Sequence, residues 1–433
     1  MKELIKKIVV FKLNILAKMY LARFKPQIIA VTGNVGKTST KEAISVVLGN
    51  IKKVRSGKGN LNNEFGVPLT IVGDWADDYY EAGNSMWFWI KVLWLSFFRL
   101  IFSGDYPEIL VLEYGADKPG DIKRLAKKFK PHIGVITAIG EIPVHVEYFS
   151  GPEELAREKR KLIEGLDASD FAVLNFDDLA VLEMREKTKA KVLTYGLGQE
   201  AEFKASDLNI RTDEEGLPMG LNFKIHSGES FVPVNIFGSL GKSQGYAAAA
   251  AAAVGMTFGM NLIQISDALS EYHGPKGRLK ILKGIKNSVI IDDTYNASPA
   301  STHMAIETVT GLSGPRRIAV LGDMLELGRY TIEAHEEVGN FLKGDFDVLV
   351  TVGSRAKFIA ESALNQMPKE NIHKFETSDE AKLKVKELIR EGDLVLVKGS
   401  QGIRMEKIVE EIMAEPDKKK ELLVRQGKKW LKS

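Results

Sequence analysis

A short glycine-containing segment between an apolar run and a helix-like run constrains the fold of this 433-residue chain most. Its residues are Gly33, Asn34, Val35, Gly36, Lys37, Thr38 and Ser39. Glycines let backbone N–H groups curl around phosphate oxygens, the following helix directs its N-terminus at them, the lysine supplies charge, and the hydroxyl suits Mg²⁺. The loop is one residue shorter than the common phosphate loop, and a plain glycine-rich turn is the alternative. The segment therefore predicts an ATP site on a parallel sheet.

The rest of the chain alternates short apolar runs with longer helix-like stretches, which is typical of an α/β protein. The runs predicted as strands are 28–32, 109–112, 133–137, 172–175, 289–291, 318–321, 348–352 and 394–397. Shorter alternating runs between residues 200 and 237 predict an antiparallel patch, and the alanines 247–253 predict a buried helix. We expect a central P-loop ATPase domain with a parallel sheet and a C-terminal Rossmann-like α/β domain.

The length of the chain exceeds the roughly 100 to 200 residues that one hydrophobic core usually supports. A cluster of glycine and proline at residues 274–277 precedes a fresh run of alternating elements. We predict a basic amphipathic helix over 1–26, a central ATP-binding domain over 27–275 and a C-terminal domain over 276–433. An apolar helical insertion, residues 86–102, lies within the central domain.

Composition excludes several classes of function. The chain has no cysteine, which excludes thiolate metal sites and cysteine nucleophiles. Sixty basic residues against 57 acidic ones leave a net charge of +3, which is too balanced for a protein that coats nucleic acid. We therefore expect no nucleic-acid partner, although the first 25 residues are strongly basic.

Several later motifs stand in a fixed order after the phosphate loop. They are residues 59–68 (GNLNNEFGVP), 293–299 (DTYNASP), 321–328 (LGDMLELG) with His335, and 397–400 (VKGS). Together with the phosphate loop they resemble the Mur ligases, ATP-dependent amide-forming enzymes of peptidoglycan synthesis. The likeness runs from about residue 26 to about residue 412. It is greatest to the branch of the family that adds D-alanyl-D-alanine to a muramoyl tripeptide.

The resemblance implies a cytoplasmic peptide ligase that uses ATP and two Mg²⁺. A muramoyl-peptide carboxylate would be phosphorylated to an acyl phosphate, which the amine of D-alanyl-D-alanine would then attack. Both substrates are small molecules, and a monomer is predicted. The alternatives are a ligase with another amine, of the folylpolyglutamate or poly-γ-glutamate type, and a non-catalytic ATP-binding membrane scaffold.

The predicted catalytic and metal residues lie around the phosphate loop. Glu113 ends an apolar strand, where a metal-holding acid belongs in a parallel sheet, although a solvated strand-end acid is the alternative. The resemblance implies that Thr38 and Glu113 hold one Mg²⁺, and that His145 and Lys159 support a second, with Lys159 as a carbamate. From the residues alone, His145 reads as structural and Lys159 as part of a solvated charged face. Lys37 completes the catalytic set.

Further nucleotide and substrate residues follow from the same resemblance. Arg278 and Asp293 match an arginine and an acid that meet ATP across the domain cleft, although Arg278 also fits a surface ion pair. Gln244 stands where relatives carry histidine-asparagine, and its amide suits a base edge. The residues implied in substrate binding are Asn60, Asn62, Asn63, Tyr295, Asn296 and Lys398.

The start of the chain departs from the family pattern. Members of this branch ordinarily begin with a domain that grips the uridine diphosphate of the substrate, and we expect that domain to be missing, since 26 residues precede the ATP strand. Residues 1–25 instead place apolar side chains at helical spacing between lysines, and residues 86–102 combine three tryptophans with two cations. Either the two segments cover each other and the sheet, or they make a peripheral contact with the inner face of the membrane.

Overall fold

A computed structural model describes residues 2–59, 61–82 and 85–431, which form one sheet of nine strands and one of six. The strands are β1 (Gln27–Thr32), β2 (Val54–Ser56), β3 (Ile109–Glu113), β4 (Ile133–Ile136), β5 (Phe171–Asn175), β6 (Lys191–Gly196), β7 (Phe203–Thr212), β8 (Pro218–Ser227), β9 (Ser230–Phe237), β10 (Lys280–Lys283), β11 (Val289–Asp293), β12 (Arg317–Gly322), β13 (Val348–Val352), β14 (Ile372–Phe375) and β15 (Leu394–Lys398). The α-helices are α1 (Lys2–Phe24), α2 (Lys37–Gly49), α3 (Gly66–Val72), α4 (Ala76–Ala82), α5 (Met86–Phe102), α6 (Asp121–Lys128), α7 (Pro152–Glu164), α8 (Leu179–Leu182), α9 (Lys242–Thr257), α10 (Leu262–Ser270), α11 (Pro299–Thr310), α12 (Thr331–Phe341), α13 (Lys357–Ala363), α14 (Ser378–Leu388), α15 (Glu406–Ile412), α16 (Lys419–Leu422) and α17 (Lys428–Leu431).

The first sheet has the strand order β2-β3-β1-β4-β5-β6-β7-β8-β9. Its strands from β2 to β7 are parallel, and β8 and β9 extend it in antiparallel fashion. The alanine-rich helix α9 is buried against α2, where a Cβ on Gly255 would come within 3.0 Å of Val47. Small side chains let the two helices approach closely, which explains the alanine run and confirms the predicted buried helix.

The second sheet has the order β10-β11-β15-β12-β13-β14, with β10 antiparallel and the remaining strands parallel. All eight predicted strands are present, and the predicted antiparallel patch corresponds to β7, β8 and β9. Four strands were not predicted, namely β2, β6, β10 and β14. Each of them has partly exposed positions, and β10 reads Lys-Ile-Leu-Lys, so no continuous apolar run reveals them.

The two sheets are joined through residues 274–277 and by backbone pairing. Leu240 N donates to Leu279 O at 3.0 Å, and Ile281 N donates to Gly238 O at 3.0 Å. Gly277 adopts a φ of +65°, and a Cβ there would lie 3.0 Å from the backbone nitrogen of Tyr295. This connection brings loops at the carboxyl ends of both sheets to the same cleft.

Helices α1 and α5 lie side by side and run in the same direction. The Tyr20 hydroxyl donates to Ser96 O at 2.7 Å, and the Arg23 guanidinium donates to Leu100 O. Both predicted helices are thus present, and their inner faces share one core. Within the described ranges, none of the helices combines the length and the apolar character needed to cross a bilayer.

Candidate active site

The phosphate loop connects β1 to α2 in a conformation that requires glycine. Gly33 and Gly36 have φ angles of +142° and +88°, and a Cβ on Gly33 would lie 1.9 Å from Thr137 Oγ1. Helix α2 begins at Lys37, whose ammonium folds back to donate to Gly33 O at 2.9 Å. The predicted strand, loop and helix therefore lie in the order that makes a helix N-terminus an anion site.

Glu113 lies beside the phosphate loop as the sequence predicted. Thr38 Oγ1 donates to Glu113 Oε2 at 3.1 Å, and Asn62 Nδ2 donates to Oε1 at 3.1 Å. Burial alone raises the pKa of Glu113, but the positive charges of Lys41 and Lys37 outweigh it, so the pKa lies below the ordinary value. Glu113 therefore stays ionised, and its oxygens with the Thr38 hydroxyl are the hard donors that Mg²⁺ prefers.

Lys41 belongs to this site and was missed in the sequence. Its ammonium lies 3.9 Å from Glu113 Oε2 and also donates to Gly57 O, while the side chain is almost completely buried. Its position three residues after Thr38 on the same helix was the available signal. In the described part of the chain, no cluster of three or more acidic or histidine side chains could hold a metal alone. Thr38 and Glu113 thus fit a Mg²⁺, which would take its remaining ligands from phosphate and water.

Lys159 projects from α7 onto the phosphate loop. It is buried, and its ammonium donates to Gly33 O at 2.9 Å, the same carbonyl that accepts from Lys37. Burial lowers the pKa of Lys159 well below its ordinary value, and the charge of Lys37 lowers it further. The reading of Lys159 as part of a solvated helix face is therefore wrong.

His145 makes its contact across the cleft. The residue has a φ of +72°, and its Nδ1 lies 2.5 Å from Oε2 of Glu326, which follows β12 in the second sheet. Hydrogen bonding to His145 lowers the pKa of Glu326. In this structure His145 contacts Glu326 and Lys159 contacts Gly33 O, and their joint support of a second Mg²⁺ stays a prediction. Glu326 was overlooked as a site residue although its motif was noted.

Arg278 stacks on Tyr295 rather than forming a surface ion pair. Its guanidinium carbon lies 4.0 Å from the centre of the Tyr295 ring. Asp293 is held at the end of β11, where Oδ2 accepts from Lys398 Nζ at 2.5 Å and Oδ1 accepts from Leu279 N at 3.2 Å. These residues of the second sheet therefore face the phosphate-loop side of the cleft as one connected group.

Gln244 does not offer its amide to a ligand in this structure. The side chain is fully buried, its oxygen accepts from the Tyr272 hydroxyl at 2.9 Å, and its nitrogen donates to Arg278 O at 3.4 Å. The expected contact with a base edge is thus corrected to an internal link between α9 and the segment that carries Arg278. Ser243 and Tyr246, on either side, line the neighbouring cavity instead.

The residues predicted for substrate binding lie in different parts of the site and make different contacts. Asn60 lies outside the described residues. Asn62 holds Glu113, whereas the Asn63 side-chain oxygen accepts from Phe65 N and Gly66 N at the start of α3. The backbone oxygen of Asn296 accepts from Lys398 Nζ at 3.0 Å. Their substrate contacts stay predictions.

Two separate cavities border the phosphate loop and the first turn of α2. A cavity of about 890 Å³ opens beyond β4 and β5, next to Gly36 and Thr40, and Ala300 and Met304 of α11 line its other side. A second cavity of about 600 Å³ contains Thr38. The larger one is also lined by Arg157, Arg160, Asn175, Ser243 and Tyr246, none of which was predicted. Asn175 ends β5 as Glu113 ends β3, so the same strand-end rule could have found it.

The fold and site define a two-sheet α/β protein with a phosphate loop at the carboxyl end of its first sheet. Residues 99–255 match the Mur ligase middle domain, and residues 277–401 match the Mur ligase glutamate ligase domain. The chain is 33% identical to the UDP-N-acetylmuramoyl-tripeptide–D-alanyl-D-alanine ligase of Bacillus subtilis, over 93% of this chain and 79% of that one. The chain belongs to the Mur ligase family of ATP-dependent carbon–nitrogen ligases.

Solved structures agree with this assignment. The MurF ligase of Thermotoga maritima in complex with ADP has a TM-score of 0.76 and 27% identity, over 95% of this chain and 84% of that one. Folylpolyglutamate synthase of Mycobacterium tuberculosis has a TM-score of 0.64 at 15% identity, covering 92% and 94% of the two chains. The second likeness shows the shared fold alone.

Proposed function

We propose that this enzyme joins D-alanyl-D-alanine to the carboxylate of a muramoyl tripeptide in peptidoglycan precursor synthesis. The observation that carries the proposal is the position of the phosphate loop between two cavities, with Gly36 and Thr40 at one and Thr38 at the other. A nucleotide on one side and an acceptor carboxylate on the other would meet at the helix N-terminus. The bacterial relatives that cover most of the chain bear the name of this activity.

The proposed reaction needs no protein nucleophile. An acceptor carboxylate oxygen attacks the γ-phosphorus of ATP and the bond to ADP breaks, which gives an acyl phosphate. The dipeptide amine then attacks the acyl carbon, phosphate leaves, and the amine loses a proton. Lys37 turns from Gly33 O to the phosphates and offsets their charge. Thr38 and ionised Glu113 would hold Mg²⁺, which neutralises phosphate charge when bound.

We propose that Lys159 acts as a carbamate. Two ammonium groups, on Lys37 and Lys159, share the carbonyl of Gly33 in a buried site, and like charges at that separation repel each other. The depressed pKa of Lys159 favours the neutral amine, which is the form that adds CO₂. The product is an anion that attracts Lys37 and offers oxygen ligands. With His145 it would form the second Mg²⁺ site.

Domain closure is part of the same proposal. We assign the helix to residues 1–26, the ATP-binding domain to 27–275 and the C-terminal domain to 276–433. The left-handed glycines at 274 and 277 support a hinge between the two large domains. His145 now contacts Glu326 across the cleft, so a second metal site would need the imidazole to leave that carboxylate. A monomer working in the cytoplasm is proposed.

The nucleoside of ATP is proposed to occupy the larger cavity. Its volume of about 890 Å³ lies within the usual range for ligand pockets, and Asn175, Ser243 and Tyr246 supply polar groups in its wall. Arg278 and Asp293 would meet the nucleotide from the second sheet. This arrangement replaces the predicted contact through Gln244.

Phosphate release from ATP over a panel of carboxylate and amine substrates tests the function. We expect release that requires both a muramoyl tripeptide and D-alanyl-D-alanine. Release that depends on glutamate instead would identify a ligase of the folylpolyglutamate or poly-γ-glutamate type. ATP binding without phosphate release, with every pair of substrates, would identify a non-catalytic scaffold. The assembled Lys37, Thr38 and Glu113 argue against that alternative.

A further inference from the structure

Helices α1 and α5 carry a contiguous set of exposed apolar side chains, here named the α1–α5 surface. Its principal members are Phe11, Ile15, Trp87, Trp94, Phe98 and Phe102. Trp87 is 79% exposed and Phe102 is 69% exposed, values that are unusual for large aromatic side chains. Scattered exposed apolar residues are ordinary, but a contiguous patch marks an interaction site.

The inner faces of the two helices are already satisfied. Leu13 and Val92 are completely buried in one core, and the Tyr20 hydroxyl bonds to the backbone of α5. Because parallel neighbours over one core share their inward side, their exposed faces adjoin on the outward side. The two helices therefore bury their inner faces against each other and the core. The α1–α5 surface has no packing partner within the described chain.

The two cations of α5 lie beside its outward apolar face and not within it. Lys91 forms an ion pair with Asp78 at 3.0 Å, and the Arg99 guanidinium lies 5.3 Å from the ring centre of buried Trp75. Both cations are thus held at the edge of the helix. The aromatic side chains between them can enter an apolar medium without carrying a charge along.

A lysine-rich cavity adjoins this surface. It has a volume of about 610 Å³, Phe11 and Ile15 form part of its wall, and Glu64 is the acidic residue among the described lining. Its basic residues are Lys6, Lys7, Lys18, Lys118 and Lys128. In the described part of the chain, none of these five ammonium groups has a carboxylate within 4 Å. The cavity therefore presents unneutralised positive charge next to exposed aromatic rings.

We propose that the α1–α5 surface docks on an anionic lipid bilayer, with its aromatic side chains in the interfacial zone and the lysine cavity over the phosphates of lipid headgroups. Tryptophan favours the bilayer interface, and an amphipathic basic helix binds there by combining apolar burial with attraction to anionic lipid. Each lysine close to such a surface contributes about a fivefold factor in binding. The proposal concerns location and goes beyond the ligase reaction.

Charge argues against a second copy of the chain as the occupant. In a two-fold dimer the same patch of each subunit faces its partner, which would bring two unpaired lysine clusters together. An anionic bilayer instead supplies the opposite charge beside an apolar layer. Because no helix in the described ranges suits a span, the contact is peripheral.

Sedimentation of the full chain with phosphatidylglycerol and phosphatidylcholine vesicles, at low and high salt, tests the proposal. We expect binding to phosphatidylglycerol that weakens with salt, because screening shortens electrostatic attraction but not apolar insertion. Changing Lys6, Lys7 and Lys18 to Gln should reduce binding by on the order of 100-fold. The matched control changes the exposed Lys283, Lys357 and Lys369 to Gln on the second-sheet domain and should leave binding unchanged.

Depth of insertion is measured by quenching of tryptophan fluorescence with brominated acyl chains. Trp87→Phe together with Trp94→Phe should remove most of the quenching while binding persists. Trp87→Ser with Trp94→Ser should abolish the salt-resistant part of binding, whereas Ile263→Ser with Leu383→Ser, exposed elsewhere, should not. Circular dichroism on each variant confirms folding.

Three outcomes would overturn the proposal. The first is a full-length protein that stays in the supernatant with phosphatidylglycerol at low salt. The second is binding of inorganic pyrophosphate at the lysine cavity without any vesicle binding. The third is self-association that Trp87→Ser with Trp94→Ser removes. None of these measurements uses ligase turnover, so vesicle binding and the proposed reaction succeed or fail separately.

Discussion

The phosphate loop and the α1–α5 surface are both rich in lysine, yet their lysines are in opposite states. Lys37, Lys41 and Lys159 are directed at individual backbone or carboxylate oxygens near the site. Burial lowers the pKa of Lys37 and of Lys159. The five lysines of the lysine-rich cavity are exposed and have no carboxylate partner. Burial thus turns a generic positive charge into a positioned group, whereas exposure leaves a charge that responds to any anionic surface.

The largest expected effect is on the buried side of this comparison, at Lys37. Lys37→Ala should lower the rate of phosphate release by on the order of 10²-fold or more, because a preorganised cation is lost from a water-poor site. The matched control is Lys52→Ala, since exposed Lys52 pairs with Glu108 at 2.7 Å near the surface. Near-normal turnover by folded Lys37→Ala would contradict the mechanism.

Lys159 is the second test of what burial does to a lysine. Lys159→Ala should lose about 10- to 100-fold in activity, as is usual when a group that supports a metal is removed. Short carboxylates such as acetate should restore part of it, since they replace the anionic oxygens of the carbamate. Lys159→Arg should lose at least as much activity as Lys159→Ala, and acetate should not restore it, because arginine keeps its positive charge and does not add CO₂. Full activity of Lys159→Arg would refute the carbamate.

Whether a feature of the fold or the site could be predicted from the sequence depended on how far apart along the chain its contacting residues lie. The phosphate loop is local, so its strand, glycines and helix could be predicted together, as could strands with continuous apolar runs. Lys159 lies in a charged run whose pattern resembles a solvated helix face, and its contact with Gly33 exists only after folding. Glu326 meets His145 from a distant segment for the same reason. Gln244 stands at the position of a nucleotide-binding motif, but in the folded chain its amide oxygen accepts a hydrogen bond from Tyr272.

The stability of the enzyme gives a third and smaller effect. Lys159→Met should raise the free energy of unfolding at pH 7 in CO₂-free buffer by on the order of 1 kcal/mol, the lower end of the range seen when buried ion pairs are replaced by apolar residues. The pKa of Lys159 is lowered in the folded state, whereas the unfolded chain has the ordinary lysine pKa of about 10.4. At pH values between these two pKa values, the unfolded chain therefore binds more protons than the folded chain.

The sign of the pH dependence follows from that difference. The stability of the native sequence should rise with pH from the folded pKa of Lys159 toward the unfolded one, and the advantage of Lys159→Met should shrink over the same interval. Urea unfolding at several pH values measures it. The exposed Lys18→Met is the control and should show no such convergence. A constant difference at all pH values would mean that Lys159 carries no buried charge.

The smallest expected effect concerns the contact that joins the two domains. In the proposed mechanism Glu326 competes for the imidazole of His145, and both side chains are partly exposed, so their pairing is worth at most about 1 kcal/mol. Glu326→Gln should therefore lower the Mg²⁺ concentration for half-maximal phosphate release by up to about fivefold, with little change in the maximal rate. Glu147→Gln, which removes a nearby carboxylate that has no ion pair with His145, is the matched control. A loss of maximal rate in Glu326→Gln, with Glu147→Gln unchanged, would instead place Glu326 in the chemistry, and the cleft contact would then be a part of the active site.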